Sequence, residues 1–295
     1  MNQDKKIVFV ILHYLTIEDT KQAVSSIEQC MDTEDYQIVI VDNASFNDSG
    51  NLLKLFYKEN HKVDVIINKE NLGFANGNNV GISYAKDQYD PNFIVVMNND
   101  ILLLETKLYC KLCEAYEKER FGVLGPLVIT RDGKCTSNPP RVKFTNKQDV
   151  KQFLKLHEFR RKLMKVHLYQ FYRVYSRVKE DLQKKKFADR SFFKPADNVK
   201  LHGCFLVFSR AFLDKNTGFD TRTFLYLEED ILYHKMIKQK VKMIYRPDIV
   251  VYHKEDSATN ACNNSNSQKR LMITNEYIRS GMTLLQVMDE CERDF

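Results

Sequence analysis

Short apolar runs alternate with segments of helical period over the first 130 or so residues. The runs Ile7–Leu12, Gln37–Val41, Val63–Ile67 and Phe93–Met97 have the length of strands. Between them, Glu18–Cys30, Asn51–Lys58, Asn76–Lys86 and Glu105–Glu119 read as helices, with Thr16 or Asp19 placed to cap the first. This alternation predicts βαβ units and a mixed, mostly parallel sheet flanked by helices, an α/β fold. The run Phe93-Ile94-Val95-Val96-Met97 has no polar alternation, so both of its faces are expected to be buried. Val123–Ile129 reads as a further strand interrupted at Gly125-Pro126. Thr130–Pro140, with Asp132-Gly133 and Pro139-Pro140, reads as turn and loop.

From Lys151 to about Lys186 the pattern becomes helical. Phe153, Leu156, Leu163 and Val166 are in phase, and Phe171, Val174, Val178 and Leu182 continue after a shift. Strand character resumes at Leu201–Phe208, followed by a turn at Gly218-Phe219-Asp220. A helix over Asp230–Gln239 and two strands, Val241–Tyr245 and Ile249–Tyr252, come next. Asp256–Gln268, rich in Asn and Ser, reads as a mobile loop, and Lys269–Glu290 as a terminal helix. The expected divisions are 1–140, a helical insertion at 141–197, a second half at 198–260, and the loop and helix at 261–295. No internal repeat is visible.

Composition bounds this picture. A chain of 295 residues with 43% hydrophobic content can bury a full core, as one large domain or two small ones. It has no apolar run of about 18 residues, so no transmembrane helix is expected. Its first residues lead straight into a strand pattern, unlike a signal peptide. Seven scattered cysteines do not form a disulfide framework. Cys110 and Cys113 read as one turn apart on a helix rather than as a zinc pair. A reduced, cytoplasmic protein is expected.

The net charge of +6 hides an asymmetry. Between Arg141 and Lys194 stand 17 Lys and Arg against 5 Asp and Glu, while the rest of the chain holds 28 basic and 34 acidic residues. Ten aromatic residues are interleaved with the basic ones. A solvated or dimerising helical insert is one reading, and contact with an anionic membrane surface through 141–194 is the other. Nucleic acid is not the expected partner, since no RRM, KH or helix-turn-helix pattern is present.

The candidate chemistry lies where strands end. Asn98-Asn99-Asp100 follows one apolar run and Asp42-Asn43 another. Ligands of open α/β sheets bind outside the carboxyl ends of the strands. A carboxylate there can hold a hard divalent cation and the phosphates it bridges. The Gly/Asn-rich stretch Asn68–Gly81 opens a predicted helix, whose N-terminus favours anions, although it also reads as a plain turn. It is not a dinucleotide fingerprint, because no G-x-G-x-x-G follows the first strand. Glu228-Glu229-Asp230 supplies clustered carboxylates at a helix start, where mutual repulsion can raise a pKa. His13 and His202 read as structural or peripheral, and His157, His167 and His234 carry no signal.

Several motifs follow one another along the chain: Val10-Ile11-Leu12-His13-Tyr14, Val41-Asp42-Asn43-Ala44-Ser45 with Asp48, Asn71-Leu72-Gly73-Phe74-Ala75 with Asn79 and Gly81, and Asn98-Asn99-Asp100. Gly203-Cys204-Phe205-Leu206, Gly218-Phe219-Asp220, Phe224–Asp230 and Tyr252-His253 with Ser257 continue the series. Taken in order, they resemble the family 2 glycosyltransferases with a GT-A fold (the nucleotide-diphospho-sugar transferase fold), in particular the bacterial rhamnosyl- and galactofuranosyl-transferase-like branch. The resemblance covers roughly residues 5–130 and 198–258. The basic insertion is not part of it.

The resemblance implies an inverting, metal-dependent glycosyltransferase acting on a nucleotide-sugar donor, dTDP-rhamnose or a UDP-sugar. The acceptor would be a glycan or polyprenyl-linked glycan in bacterial surface polysaccharide synthesis, at the inner face of the cell membrane. The first division would then bind the donor and the third the acceptor. Tyr14, Asp42, Asn71, Gly73, Asn76, Asn79, Asn98 and Asn99 would line the donor. Asp100 and His253 would hold Mg2+ or Mn2+. Glu229 aligns with the family's catalytic acid, and its neighbours Asp230 and Glu228 remain candidates. A different class of reading is a non-catalytic partner that binds a nucleotide sugar, or a basic membrane- or nucleic-acid-binding module.

Overall fold

The computed structural model describes residues 7–130, 138, 142–166, 168, 169, 172, 193–254 and 266–293. Its strands are β1 (Ile7–His13), β2 (Tyr36–Asp42), β3 (Val63–Ile67), β4 (Phe93–Asn98), β5 (Ile101–Leu103), β6 (Val123–Thr130), β7 (Ala196–Asp197), β8 (Phe205–Ser209) and β9 (Met243–His253). The helices are α1 (Ile17–Cys30), α2 (Ser49–Phe56), α3 (Gly73–Tyr89), α4 (Leu108–Glu119), α5 (Lys147–Lys165), α6 (Arg210–Leu213), α7 (Glu228–Lys238) and α8 (Asn266–Arg293).

All nine strands join one sheet in the order β3-β2-β1-β4-β8-β6-β9-β5, with β7 paired to β9. The block β3-β2-β1-β4 is parallel. β8 then runs antiparallel between β4 and β6, so strands from both halves of the chain share one ladder. β1 is buried on both faces, as its unbroken apolar run requires. Phe9 and Ile11 pack with Val24 and Ile27 of α1, Leu53 of α2 and Leu112 of α4. Val8 and Val10 pack on the opposite side with Ile82 of α3, Phe212 of α6 and Met236 of α7.

Two departures from the sequence expectations share a cause. β6 is continuous through Gly125-Pro126, and β9 is one strand where two were expected. The register between them steps from Pro126 opposite Arg246 to Leu127 opposite Val250. Proline offers no N–H to a ladder and is tolerated at bulges, and Pro126 and Pro247 both fall at this one. Helix starts also shift. α3 begins at Gly73 rather than Asn76, and α7 at Glu228 rather than Asp230, which puts all three carboxylates in its first turn.

The main described element of the basic insertion is α5. Its entry is a capping box in which Asn146 Oδ1 accepts from the Asp149 N–H at 3.1 Å and Asp149 Oδ2 accepts from the Asn146 N–H at 3.2 Å. One face of α5 is docked rather than solvated. Phe144 and Val150 bury themselves with Leu227 and Ile231 of the α7 segment and Leu284, Val287 and Met288 of α8. His167 and most of the second half of the insertion lie outside the described residues, as does 256–265 of the expected mobile loop. Residues 266–268 already belong to α8. No helix among the described residues is long and apolar enough to cross a membrane.

This third core is the joint that holds the insertion against the carboxylate-bearing helix. Ile231→Ala should cost about 2–4 kcal/mol in urea unfolding, while Ile237→Ala on the exposed side of the same helix should cost well under half as much.

Candidate active site

β1, β2 and β4 run parallel, so their carboxyl ends finish together. His13 stands opposite Asp42, and Leu12 opposite Asn98. The chain turns at Asn99-Asp100 and enters β5, which pairs antiparallel with the end of β9 and places Ile101 opposite His253. That register brings together the two residues expected to hold a metal: His253 Nε2 lies 3.3 Å from Asp100 Oδ1. The backbone N–H of Lys254 donates to the Asp100 carbonyl at 3.1 Å, closing the joint. Asp100 Oδ1 is buried without a hydrogen-bond partner among the described residues, and the ring nitrogen that faces it is Nε2. A carboxylate and an imidazole so placed fit a divalent cation. They supply only two ligands, since no cluster of three or more ligating side chains occurs among the described residues. Such a pair suits a cation that completes its shell with phosphate oxygens and water.

The residues expected around the donor divide into two groups. Tyr14 and Asn98 are half-buried at the sheet edge. Asp42 is 2% exposed, and its carboxylate accepts from the Ser45 N–H at 3.2 Å. His13 behind it bonds Thr20 Oγ1 at 2.7 Å and Ser49 Oγ at 2.8 Å. Burial holds His13 down at about 4 despite the Asp42 carboxylate, so this histidine is neutral and structural.

The other group ties the chain to itself. Asn99 Nδ2 donates to Thr16 Oγ1 at 2.9 Å and Thr20 Oγ1 at 3.0 Å, so the Thr16 hydroxyl anchors this turn instead of capping α1. Asn43 donates to Asn71 Oδ1 at 2.9 Å and accepts from the Leu72 N–H at 3.0 Å, which fixes the loop before α3. Asn79 clamps Phe219, donating to its carbonyl at 2.9 Å and accepting from its N–H at 2.8 Å. Asn76 donates to the Thr221 carbonyl at 3.1 Å. Gly73, at φ +77°, lets the Phe74 N–H reach the Phe224 carbonyl at 2.8 Å. A Cβ on Gly73 would stand 2.1 Å from that same oxygen. These asparagines therefore hold the 218–224 segment over the start of α3.

That segment delivers the acidic cluster. Tyr226 and Leu227 both adopt left-handed φ, at 73° and 66°, immediately before α7. The three carboxylates then meet three environments. Glu228 is 5% exposed with Oε1 unbonded, and burial, followed by the Glu229 charge, pushes it up to about 8. Asp230 is buried against Lys200 Nζ at 2.9 Å. Its own burial pushes it upward against the pull of that lysine. Glu229 alone is partly exposed, and its Oε1 accepts the Gly203 N–H at 3.1 Å. A Cβ on Gly203 would stand 2.8 Å from that oxygen, so glycine is needed for the seat. Asp220, in the preceding turn, is an anchor. Burial would raise it, but Arg222 and Lys235 hold it at about 2, and Arg222 continues to Glu290 of α8 at 2.6 Å.

The three carboxylates line a cavity of about 640 Å³ with Asn98, His202 and Gly203 on its sheet side. Its far wall comes from α5 and α8: Phe153, His157, Arg160 and Tyr277. Sequence reasoning missed this wall. His157, assigned no signal, lines the cavity, and Lys200 and Gly203 were not singled out individually. Asn and Gly residues around strand ends gave a visible signal, whereas the wall is assembled by tertiary packing of two distant helices.

A model of glycosyl transferase family 2 matches residues 9–215. The chain is 24% identical over 131 residues to the low-salt glycan biosynthesis hexosyltransferase Agl10 of Haloferax volcanii, a match covering 44% of this chain and 39% of that protein. It is 27% identical over 92 residues to glycosyltransferase GlyG of Streptococcus pneumoniae serotype 4, covering 31% and 29%. The matches thus span well under half the length of these relatives. Among solved structures, GalNAc-T7 with UDP, GalNAc and Mn2+ superposes with a TM-score of 0.58 at 15% identity, over 92% of this chain and 48% of that one. The mannosyltransferase PcManGT of Pyrobaculum calidifontis, in complex with GDP-Man and Mn2+, gives 0.54 at 12% identity over 98% and 74%. S. aureus TarS gives 0.52 at 11% identity over 93% and 72%. At these identities the likeness is one of fold.

Gly73→Ala should destabilise the protein by about 2–3 kcal/mol in urea unfolding, because the new Cβ meets both the left-handed φ and the Phe224 carbonyl. Glu228 gives a pH test. Its folded pKa of about 8 lies above its ordinary 4.5, so the folded chain keeps a proton that the unfolded chain has lost. Stability therefore falls as pH rises between those values. Glu228→Gln cannot ionise and escapes that fall, so its stability relative to wild type should grow from about pH 5 to about pH 8. A difference that stays constant across that range contradicts the buried, protonated carboxyl.

Proposed function

The chain belongs to glycosyl transferase family 2 and has its mixed α/β GT-A arrangement, and from that premise we propose that it transfers a sugar, with inversion, from a nucleoside-diphosphate sugar to a hydroxyl of a glycan or polyprenyl-linked acceptor. The observation that carries this reading is the meeting of Asp100 and His253 at 3.3 Å beside a cavity that also holds Glu229. Mg2+ or Mn2+ held by that pair would supply the positive charge that a departing diphosphate needs. Two of the structural neighbours named above contain Mn2+ with a nucleotide or nucleotide sugar, which supports the same role here.

Every other function falls to the chain's own side chains. Tyr14, Asp42 and Asn98 stand at the strand ends where the nucleotide would lie. Asn71, Gly73, Asn76, Asn79 and Asn99 shape that site through the backbone they tether. Glu229 is the base that takes the acceptor hydroxyl proton. Its environment supports the assignment over its neighbours, since Glu228 keeps its own proton near neutral pH and Asp230 is committed to Lys200. The Gly203 N–H holds the Glu229 carboxylate in place. The donor tilts toward dTDP-rhamnose or a UDP-sugar. The reaction belongs with bacterial surface polysaccharide assembly, with the basic segment 141–194 against the anionic inner face of the membrane.

Calorimetric titration should show UDP or dTDP binding that requires Mn2+ and is lost in Asp100→Asn. Nucleotide binding that is unaffected by metal and by that substitution contradicts the ion's placement. With a competent donor and acceptor, Glu229→Gln should lower kcat by about 10²–10⁴ while leaving the nucleotide Kd unchanged. The same loss in Asp230→Asn but not in Glu229→Gln would move the base by one residue.

A further inference from the structure

We infer that the cavity between α5, α8 and the start of α7 is an acceptor subsite for a sugar bearing an anionic substituent, a phosphate or a carboxylate. This rests on the transferase reading above and adds a substrate class to it.

Three observations carry the inference. The first is the aromatic wall. The Tyr226 and Tyr277 rings stack at 4.4 Å, and Phe153 stands 5.7 Å from Tyr277, all lining the cavity that Glu229 enters. Aromatic faces opposite a carboxylate suit the apolar face of a sugar ring whose hydroxyl points at a base. The second is His157, 6% exposed, packed 4.3 Å from Phe153 and 4.9 Å from Tyr277, with Nδ1 buried and unbonded among the described residues. Burial and the nearby Arg160 charge hold His157 down at about 4, so it is neutral. The unpaired nitrogen is enclosed rather than open to the cavity, so His157 contributes the surface of an uncharged ring to the wall.

The third is the balance of charge. Lys200 and Asp230 neutralise each other, and Glu228 is protonated near neutral pH. Lys143 and Arg160 then remain against Glu229 alone. No carboxylate among the described residues pairs with either cation, and Arg160 Nε is buried without a hydrogen bond. The cavity therefore carries an excess positive charge on the wall facing the base. A planar guanidinium is the group best matched to phosphate or carboxylate oxygens. Both cations come from the basic insertion, which gives that segment a task in recognising the acceptor.

The test is calorimetric titration of the full chain in EDTA with glucose 1-phosphate, glucuronate and methyl glucoside. At least one anionic probe should bind about tenfold or more tightly than the neutral glucoside, and Arg160→Gln should erase that preference. Lys143→Gln, on the exposed rim, should weaken the same probe by a smaller factor without any folding defect. Equal affinity for charged and neutral probes, an unchanged Arg160→Gln, or no binding at millimolar concentration each overturns the inference. Binding that needs Mn2+ would place the probe in the donor site and also overturns it. Displacement of glucose 1-phosphate by phosphatidylglycerol vesicles would assign the cations to a lipid headgroup instead of a glycan. Nucleotide titration of the same sample with Mn2+ separates the failures. If nucleotide binds while the sugar probes ignore Arg160, only this inference falls. If no nucleotide binds, the transferase reading beneath it falls as well.

Discussion

The site depends on one strand pairing. Residues 101–103 form a strand of only three residues, yet its antiparallel register with β9 sets Ile101 opposite His253 and so puts Asp100 against the imidazole. A slip of one residue would send His253 to the other face of the sheet. The register is held from both sides of β9. The Lys254 N–H bonds the Asp100 carbonyl, and on the other edge the bulge near Pro247 realigns β9 so that Thr130 stands opposite His253. The bulge is thus what lets one long strand serve the core at Tyr245 and the site at His253.

Around that joint, environment differentiates residues that the sequence presents as equals. Glu228, Glu229 and Asp230 are consecutive, but helical geometry sends them in different directions and each meets a different surrounding. Burial protonates the first, the Gly203 amide orients the second, and Lys200 neutralises the third. The left-handed residues Tyr226 and Leu227 put the turn where this division can occur. The asparagine tethers support it from beneath, since Asn76 and Asn79 hold the backbone of Thr221 and Phe219 that leads into the turn.

Much of the first half was legible in the sequence because an unbroken apolar run has few alternatives. Phe93–Met97 and Ile7–Leu12 appear in the structure as buried strands to within a residue. Asp100 could be picked out because a strand's carboxyl end is where an α/β sheet binds ligands. His253 came from the resemblance of its motif, and nothing in local periodicity would have found it. Asparagines were harder. An amide serves a ligand and a backbone carbonyl equally well, so Asn79 and Asn99 could be placed near the site but their intramolecular partners could not be foreseen. The cavity wall was illegible for a different reason. Phe153 and Tyr277 each fit an ordinary helix face, and only the docking of α5 on α8 makes them neighbours. Pro247 broke the strand pattern locally while the ladder absorbed it as a bulge.

The central claim is that Asp100 and His253 together hold a divalent ion on a nucleotide diphosphate. Pulsed electron paramagnetic resonance of Mn2+ bound with UDP or dTDP tests it directly. The claim requires coupling of the ion both to an imidazole nitrogen, lost in His253→Ala, and to the phosphorus of the nucleotide. A spectrum with no nitrogen coupling, or one that His253→Ala leaves unchanged, would contradict it.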